Sequence, residues 1–295
     1  MITVMGATGH TGSAITRRLL EGGEDVRALG RSERNLARLA AAGAATHAGD
    51  ATDGAFLAEA FRGADAVYTL LPIDLQSPDF HAQQARLGEA IVTAVEEAGV
   101  RFVVALSSVG ADVPSGTGFI ASLHAQEQRL RRLEGTNILI LRPGSFFENF
   151  HASLEVVSEQ GVMTDSVAPD VQLPMIAARD IAAVAADALA ARDWTGVVVR
   201  ELLGPRDLSY GEAARIIGAH IGRPDLAYVQ LTYAEMAAVL RQAGLSEDAA
   251  RQQVEMTRAF NEGRVVSRAG RTPANTTPTR LEDFAAEMAA AYQAA

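Results

Sequence analysis

Three glycines at three-residue spacing directly follow a short apolar run, Ile2-Thr3-Val4-Met5, and precede a segment with helical periodicity. A diphosphate needs this arrangement: Gly6 permits a sharp strand-to-helix turn, Gly9 lets the main chain approach the phosphates, and Gly12 lets helix and strand pack closely. The N–H groups at the helix start then face the negative charge. The spacing predicts a dinucleotide-binding turn, with a purely structural glycine-rich turn as the alternative. The intervening residues are expected to line the same site: Thr8, His10 and Thr11.

The end of the second predicted strand indicates which nicotinamide dinucleotide is bound. In NAD enzymes a carboxylate about twenty residues beyond the glycines binds the ribose hydroxyls, whereas an arginine accommodates the extra phosphate of NADP. Here Gly30 occupies the carboxylate position, and Arg31 and Ser32 follow. Because a guanidinium matches phosphate geometry, the sequence favours NADP (NADPH) over NAD. Glu33 suits the positive end of the next helix instead, and a solvated loop arginine remains the alternative for Arg31.

Composition excludes several kinds of chemistry. The 295 residues contain no lysine and no cysteine, and all 26 basic side chains are arginine. A Schiff base, a thiol nucleophile and a thiolate metal site are therefore excluded, and the histidines share no metal-ligand spacing. The formal charge of −10 argues against nucleic acid as a partner. No apolar run approaches the ~20 residues that cross a bilayer and no secretory signal is recognisable, so we expect a cytoplasmic protein acting on a small molecule.

Short β-branched segments alternate with helical patterns over the first 150 residues, which is typical of βαβ units. We predict strands at about 1–5, 25–30, 44–48, 65–71, 101–106 and 137–142. Helices are predicted between them at about 11–22, 33–42, 54–62, 78–98 and 119–134. The predicted fold class is α/β, a doubly wound parallel sheet of the Rossmann type.

The alternation loosens after Pro143. We predict a helix over about 179–191, a buried strand at Val197–Val199, helices at about 209–222, 232–243, 246–261 and 280–292, and a loop over 264–279. The expected organisation is a dinucleotide-binding core over 1–150, to which segments at about 174–205 return. The portion 151–295 is expected to be smaller, mainly helical, and to form the substrate pocket or a lid over one end of the sheet.

Nine short motifs follow one another along most of the chain: Gly6–Gly12, Val26–Arg31, Ala48–Asp50, Leu106–Ser108, His124–Glu127, Leu141–Gly144, Phe147–Phe150, Ile176–Ala182 and Leu203–Pro205. In this order and spacing they resemble the NmrA-like branch of the atypical short-chain dehydrogenase/reductases. The resemblance implies that Asp50 and Ala51 lie by the adenine, and that Leu70, Leu71 and Pro72 pass beneath the nicotinamide ribose. It also implies that Ser107 and Ser108 line the nicotinamide pocket, which Pro143, Gly144 and Phe146 close. For Leu70, Leu71 and Pro143 a role in the core is compatible with this one.

The chain departs from the wider superfamily at the proton relay. Its large branch protonates the substrate with Tyr-x-x-x-Lys on the helix after the fifth strand, where Ile120 and His124 stand here. The segment resembles that of bacterial NmrA-type quinone oxidoreductases, which also place a histidine at the lysine position. An imidazole can bind the nicotinamide ribose or the substrate oxygen, or donate a proton, so His124 and Ser108 are the candidate catalytic residues. A structural histidine is the alternative.

The resemblance implies an NADPH-dependent reductase of a small conjugated carbonyl, such as a quinone or enone. Hydride transfer to such an acceptor needs little beyond orientation and exclusion of water, which suits a site without the Tyr/Lys pair. A non-catalytic redox sensor that binds NADP(H) is the alternative, and the absence of lysine disfavours a nucleotide-sugar epimerase or dehydratase. The sequence does not determine the substrate, the direction of reaction or the oligomeric state, and a homodimer is compatible with it.

Overall fold

The computed structural model describes residues 1–293. Its strands, in chain order, are β1 Ile2–Val4, β2 Val26–Gly30, β3 Ala45–Ala48, β4 Ala66–Thr69, β5 Phe102–Leu106, β6 Asn137–Pro143, β7 Ser145–Phe146, β8 Val162–Asp165, β9 Leu173–Ile176, β10 Val197–Leu202, β11 Asp207–Leu208 and β12 Ala227–Gln230.

The helices in the first half of the chain are α1 His10–Glu21, α2 Glu33–Ala41, α3 Gly54–Phe61, α4 Phe80–Glu97 and α5 Phe119–Leu130. A 3₁₀ helix, Phe147–Ser153, leads into α6 Leu154–Gln160, and the later helices are α7 Ala178–Ala191, α8 Tyr210–His220, α9 Tyr233–Gln242, α10 Glu247–Asn261 and α11 Leu281–Gln293. No helix within residues 1–293 is both long enough and apolar enough to cross a membrane.

Seven parallel strands form the main sheet in the order β10-β6-β5-β4-β1-β2-β3. The register pairs Val4 of β1 with Ala28 on one side and with Tyr68 on the other, so the chain order reverses at β1. This confirms the predicted doubly wound parallel sheet. Because parallel strands end at the same edge, the segments that follow β1 to β6 meet there, which is where open α/β sheets bind ligands.

The two faces of the sheet are buried by different helices. One cluster contains Ile15 of α1, Leu36 of α2 and Ile181 of α7, and the other contains Leu57 of α3 and Ile91 of α4. Burial of each such side chain contributes about 1.5–3 kcal/mol. The helices fix the ends of β1 to β6, and so the segments that carry the predicted site residues.

One prediction about the sheet is wrong. Val197–Val199 form a strand as expected, but the three side chains are 39%, 37% and 38% exposed. The reason is position: β10 pairs with β6 alone and forms one edge of the sheet. A run of β-branched residues indicates a strand, and it cannot distinguish a buried strand from the edge of a sheet.

The C-terminal part contains more strand than the sequence predicts. Strands β7, β9 and β11 form one small sheet, and β8 pairs with β12 in another. They have only two to four residues each, too few to show a period. They surround a separate apolar cluster that includes Phe147, Met163, Ile217 and Phe284.

Candidate functional site

The glycine turn has the backbone geometry that its spacing predicts. Gly6 lies at φ +60°, a conformation that favours glycine, and a Cβ there would stand 2.9 Å from Leu70 Cδ2. A Cβ on Gly12 would overlap the carbonyl oxygen of Gly6, so α1 starts directly against the turn. At Gly9 a Cβ would meet only the Gly6 oxygen, at 3.4 Å. The space beside Gly9 is therefore open to a ligand.

The start of α1 offers unoccupied donors. No side chain caps it at Gly9, and its first turn contains no acidic residue. The first N–H groups of a helix lack intrahelical partners, so these donors face an anion readily. Thr8, Gly9 and His10 are exposed. This arrangement fits a diphosphate.

Thr11 differs from its neighbours in the turn. It is buried, and its Oγ1 accepts a hydrogen bond of 3.1 Å from the hydroxyl of Tyr68. Its side chain therefore serves the contact between α1 and β4. What Thr11 offers to a phosphate is its backbone N–H at the helix start.

Arg31 lies where a second phosphate could bind. It follows β2, is exposed, and has no ion-pair or hydrogen-bond partner within residues 1–293. Ser32 caps α2 by position, yet its hydroxyl makes no capping hydrogen bond. The methyl group of Thr8 would stand 3.4 Å from a Cβ on Gly30, so this strand end borders the glycine turn. A guanidinium, a hydroxyl and a helix start thus adjoin the turn.

The predicted adenine segment lies one strand further along. The N–H of Gly49 donates to the carbonyl of Gly30 at 2.9 Å, which ties the end of β3 to the end of β2. Asp50 is exposed, and its carboxylate accepts from the N–H of Thr52 at 2.9 Å. Ala51 follows within this turn. The turn holds its shape through its own hydrogen bonds.

Beyond β4 the predicted ribose segment runs from the core to the surface. Leu70 contacts the glycine turn, and Leu71 is buried in the core beneath α4. Pro72 is exposed, and its carbonyl accepts from Gln84 Nε2 at 2.9 Å. Leu71 therefore has the core role, whereas Leu70 borders the glycine turn and Pro72 is hydrogen-bonded to α4.

Ser107 and Ser108 follow β5 but make different bonds. The hydroxyl of Ser107 donates to Glu127 Oε1 at 2.6 Å, and both residues are buried. The half-buried Ser108 hydroxyl donates to the carbonyl of Val109 at 2.9 Å. That weak local bond can be exchanged for a ligand, whereas the Ser107 bond to a carboxylate is the stronger type.

Glu127 and Arg142 are functional candidates that sequence reasoning missed. Arg142 donates to both Glu127 oxygens, from Nε at 2.8 Å and from Nη2 at 2.6 Å. These bonds raise the pKa of Arg142. Both residues stand inside the motifs that resemble the family, but no local spacing indicates that they pair.

His124 is held in one tautomer. Its Nδ1 lies 2.8 Å from the carbonyl oxygen of Ala111, and a carbonyl can only accept, so Nδ1 carries the proton. Nε2 is left for a ligand. Ile120, which the sequence resemblance aligns with the tyrosine of the wider superfamily, is buried among Val109, Ala111 and Val265. Apolar side chains surround this position.

The segment after β6 lies beside the loop that follows β5. The carbonyl of Pro143 accepts from the N–H of Val109 at 2.9 Å, which joins the ends of β6 and β5. A Cβ on Gly144 would overlap the carbonyl of Pro174, so only glycine fits there. Phe146 is half-buried against the core on the α1 side of the sheet.

Helix α10 covers the loop between β5 and α5. A Cβ on Gly118 would overlap the backbone of Gln252. The ring of His81 lies 2.7 Å from the Ser122 hydroxyl and 2.9 Å from Gln252 Oε1. Polar bonds and close backbone contact thus fix this helix over the side of the site that carries His124.

Comparison with known proteins identifies relatives over most of the chain. Residues 1–285 match the model of the NmrA-like family. An NAD(P)H azoreductase of Xenophilus azovorans is 30% identical over 250 residues, which are 85% of this chain and 84% of that protein. Quinone oxidoreductase 2 of Escherichia coli strain K12 is 27% identical over 250 residues, 84% of this chain and 83% of its own length.

The fold has solved counterparts. An NADPH-dependent quinone oxidoreductase from Escherichia coli, determined in complex with NADPH, superposes with a TM-score of 0.80. The match covers 98% of this chain and 99% of that one at 24% sequence identity. At this identity the match shows that the two chains share a fold.

Proposed function

This chain belongs to the NmrA-like family, and we propose that it is an NADPH-dependent reductase of a small conjugated carbonyl, such as a quinone or an enone. The proposal depends first on the start of α1, where no side chain caps the helix and the space beside Gly9 is open. An anion bound there would satisfy donors that the protein leaves without partners.

Arg31 supports NADPH rather than NADH. An exposed guanidinium without a partner, next to the Ser32 hydroxyl and the start of α2, suits a phosphate ester on the adenosine ribose. A carboxylate at this strand end would bind the ribose hydroxyls of NADH instead, and Gly30 occupies that position.

At the nicotinamide end of the site the protein has to orient the substrate, exclude water and supply one proton. Bound NADPH supplies a hydride, which together with one proton converts a quinone to the hydroquinone. His124 presents Nε2, because Nδ1 is committed to the Ala111 carbonyl. In its protonated form Nε2 can donate to the substrate oxygen, and Ser108 can bind the same oxygen once its bond to Val109 is exchanged.

The relatives support this class of substrate. Their names specify an azo compound in one case and a quinone in the other. An azo bond and a conjugated carbonyl both accept a hydride at one atom and a proton at another. We therefore propose a conjugated, planar acceptor and include an azo dye among the test substrates.

Ile120 favours a second candidate, a redox sensor without catalytic activity. The buried isoleucine removes the tyrosine hydroxyl with which the wider superfamily protonates its substrates. A sensor of the NADPH/NADP⁺ balance needs the nucleotide site alone. Such a protein would bind both forms of the nucleotide and turn over neither.

One sequence of measurements separates these candidates. Thermal unfolding is first followed with NADPH, NADP⁺, NADH and NAD⁺ in turn, since a ligand that binds the native state alone raises Tm. NADPH oxidation is then followed with a panel of quinones, enones and an azo dye. Stabilisation by NADPH with turnover of any acceptor supports the reductase, and stabilisation by both NADP forms without turnover supports the sensor. No stabilisation by any nucleotide would contradict both.

A further inference from the structure

Glu127 connects three segments that converge on the candidate nicotinamide site. Its carboxylate accepts from the Ser107 hydroxyl at 2.6 Å and from two nitrogens of Arg142 at 2.8 and 2.6 Å. The side chain of Glu127 is 2% exposed and that of Arg142 is 12% exposed. A single carboxylate therefore ties α5 to the ends of β5 and β6.

Each of these bonds is made by a residue close in sequence to one that is predicted to line the site. Ser107 precedes Ser108, Arg142 precedes Pro143, and Glu127 lies three residues after His124 on α5. Glu127 itself touches no position assigned to substrate. Its geometry affects the site through these neighbours.

The bonds around His124 close a ring that includes Glu127. The Ser107 bond fixes the start of the loop after β5, and the N–H of Ala111 donates to the carbonyl of Ser108 at 3.1 Å within that loop. The carbonyl of Ala111 then accepts from His124 Nδ1 at 2.8 Å. Helix α5 completes the ring from His124 to Glu127.

We propose that Glu127 is a positioning residue, which sets the orientation of His124 and Ser108 by holding the loop after β5 against α5. This inference rests on the proposed reductase function. It assigns Glu127 no contact with substrate and no part in proton transfer.

The alternative is that the ion pair only stabilises the fold. Stability alone is a weak reason for such a pair, because burying two charges costs desolvation that their attraction often fails to exceed. Removing Glu127 leaves the guanidinium of Arg142 without this acceptor, and removing Arg142 leaves the buried Glu127 with a longer ion pair, to Arg131 at 3.8 Å, so single variants lose stability under either interpretation. The decisive variant must remove both charges.

The double variant Glu127→Leu/Arg142→Met meets that requirement. Apolar replacement of a buried ion pair at similar volume is often neutral for stability, so we expect a Tm near that of the wild type. The Ser107 hydroxyl still loses its acceptor, and we expect kcat to fall roughly tenfold or more, because small displacements of catalytic groups are costly. NADPH affinity should change by less than about threefold, since β4 separates β5 and β6 from the glycine turn after β1 and from Arg31.

A matched control contacts the same helix from α4. The exposed carboxylate of Glu89, on α4, pairs with Arg129 of α5 at 2.9 Å. Glu89→Gln should leave both Tm and kcat unchanged. The double variant is compared with the two single variants. If its Tm returns to the wild-type value while its kcat stays low, the positioning role is supported, and if both return to the wild-type values, that role is overturned.

A second readout needs no cofactor. The His124 Nδ1–H is held by the Ala111 carbonyl, and its NMR resonance is assigned by its loss in His124→Ala. We expect this resonance to shift or broaden in the double variant and to stay unchanged in Glu89→Gln. An unchanged resonance in the double variant overturns the proposal. If the wild type turns over no acceptor, the reductase function fails, and this comparison still decides the role of Glu127.

Discussion

The phenol of Tyr68 donates a hydrogen bond to the hydroxyl oxygen of Thr11 across 3.1 Å, joining β4 to the first turn of α1. Tyr68 is fully buried, and its register partner on β1 is Val4, two residues before the glycine turn. Burial raises the pKa of Tyr68, so the phenol remains a neutral donor. A polar contact beneath the turn therefore helps to set where α1 begins.

The burial of Tyr68 predicts an alkaline loss of stability. Because burial raises the pKa of Tyr68 above its reference value of about 10, the unfolded chain releases this proton first as pH rises. The stabilisation is fully present below about pH 10 and declines above it, by at most about 1.4 kcal/mol per pH unit for one group. Tyr68→Phe should cost about 1 kcal/mol at neutral pH and make the alkaline decline shallower.

Urea unfolding at several pH values between neutral and alkaline measures both effects. Tyr292→Phe, on the last helix, is the control that leaves the Tyr68 contact intact. An alkaline decline equally steep in Tyr68→Phe and wild type would show that other groups cause it.

Two glycines of the turn should respond differently to substitution. At Gly9 a new side chain enters open space, so Gly9→Val should abolish NADPH binding with little change in Tm. At Gly12 a Cβ overlaps the Gly6 carbonyl, so Gly12→Ala should lower stability as well. Thermal unfolding with and without NADPH measures both. Unchanged stabilisation of Gly9→Val by NADPH would show that the diphosphate binds elsewhere.

Local sequence predicted the scaffold because its signals are local. The apolar run at β1, the glycines after it and the period of α1 lie within about twenty consecutive residues. The edge position of Val197–Val199 is a property of the whole sheet, and β-branching in the sequence is the same for a central strand.

The contacts around the candidate site were less predictable for the same reason. The Ser107–Glu127 and Glu127–Arg142 bonds join residues 20 and 15 positions apart, and the His81–Gln252 bond spans 171 positions. Such pairs form only after the sheet brings its strand ends together. Motifs could locate His124, but the bond that fixes its tautomer goes to a backbone carbonyl, which carries no sequence signal.

Arg31 should determine the preference for NADPH. Arg31→Ala should weaken NADPH binding by about 1.5–3 kcal/mol, the range for hydrogen bonds to charged groups, and leave NADH binding unchanged. Arg38→Ala, in the last turn of α2, is a matched control that removes one charge further from the turn. Isothermal titration with both nucleotides provides the comparison. An equal loss for NADPH and NADH would assign Arg31 a structural role.

His124 is the residue whose substitution tests the chemical step. General acid catalysis contributes about 10²- to 10⁴-fold, so His124→Ala should lower kcat by about 10²-fold or more if Nε2 donates the proton. His220→Ala is the control, because His220 also donates from Nδ1 to a backbone carbonyl at 2.8 Å, but its side chain is exposed at the end of α8. That variant should leave kcat unchanged.

The pH profile of kcat separates proton donation from orientation. A general acid must carry its proton in order to donate it, so if His124 Nε2 is that acid, kcat of the wild type should decline as pH rises. In His124→Ala this decline should disappear together with most of the activity. A decline that persists in the Ala variant would assign the proton to water or another group. His124→Lys adds a second discrimination: a lysine can orient the ribose but stays charged well beyond neutral pH, so recovered activity without the decline would favour orientation.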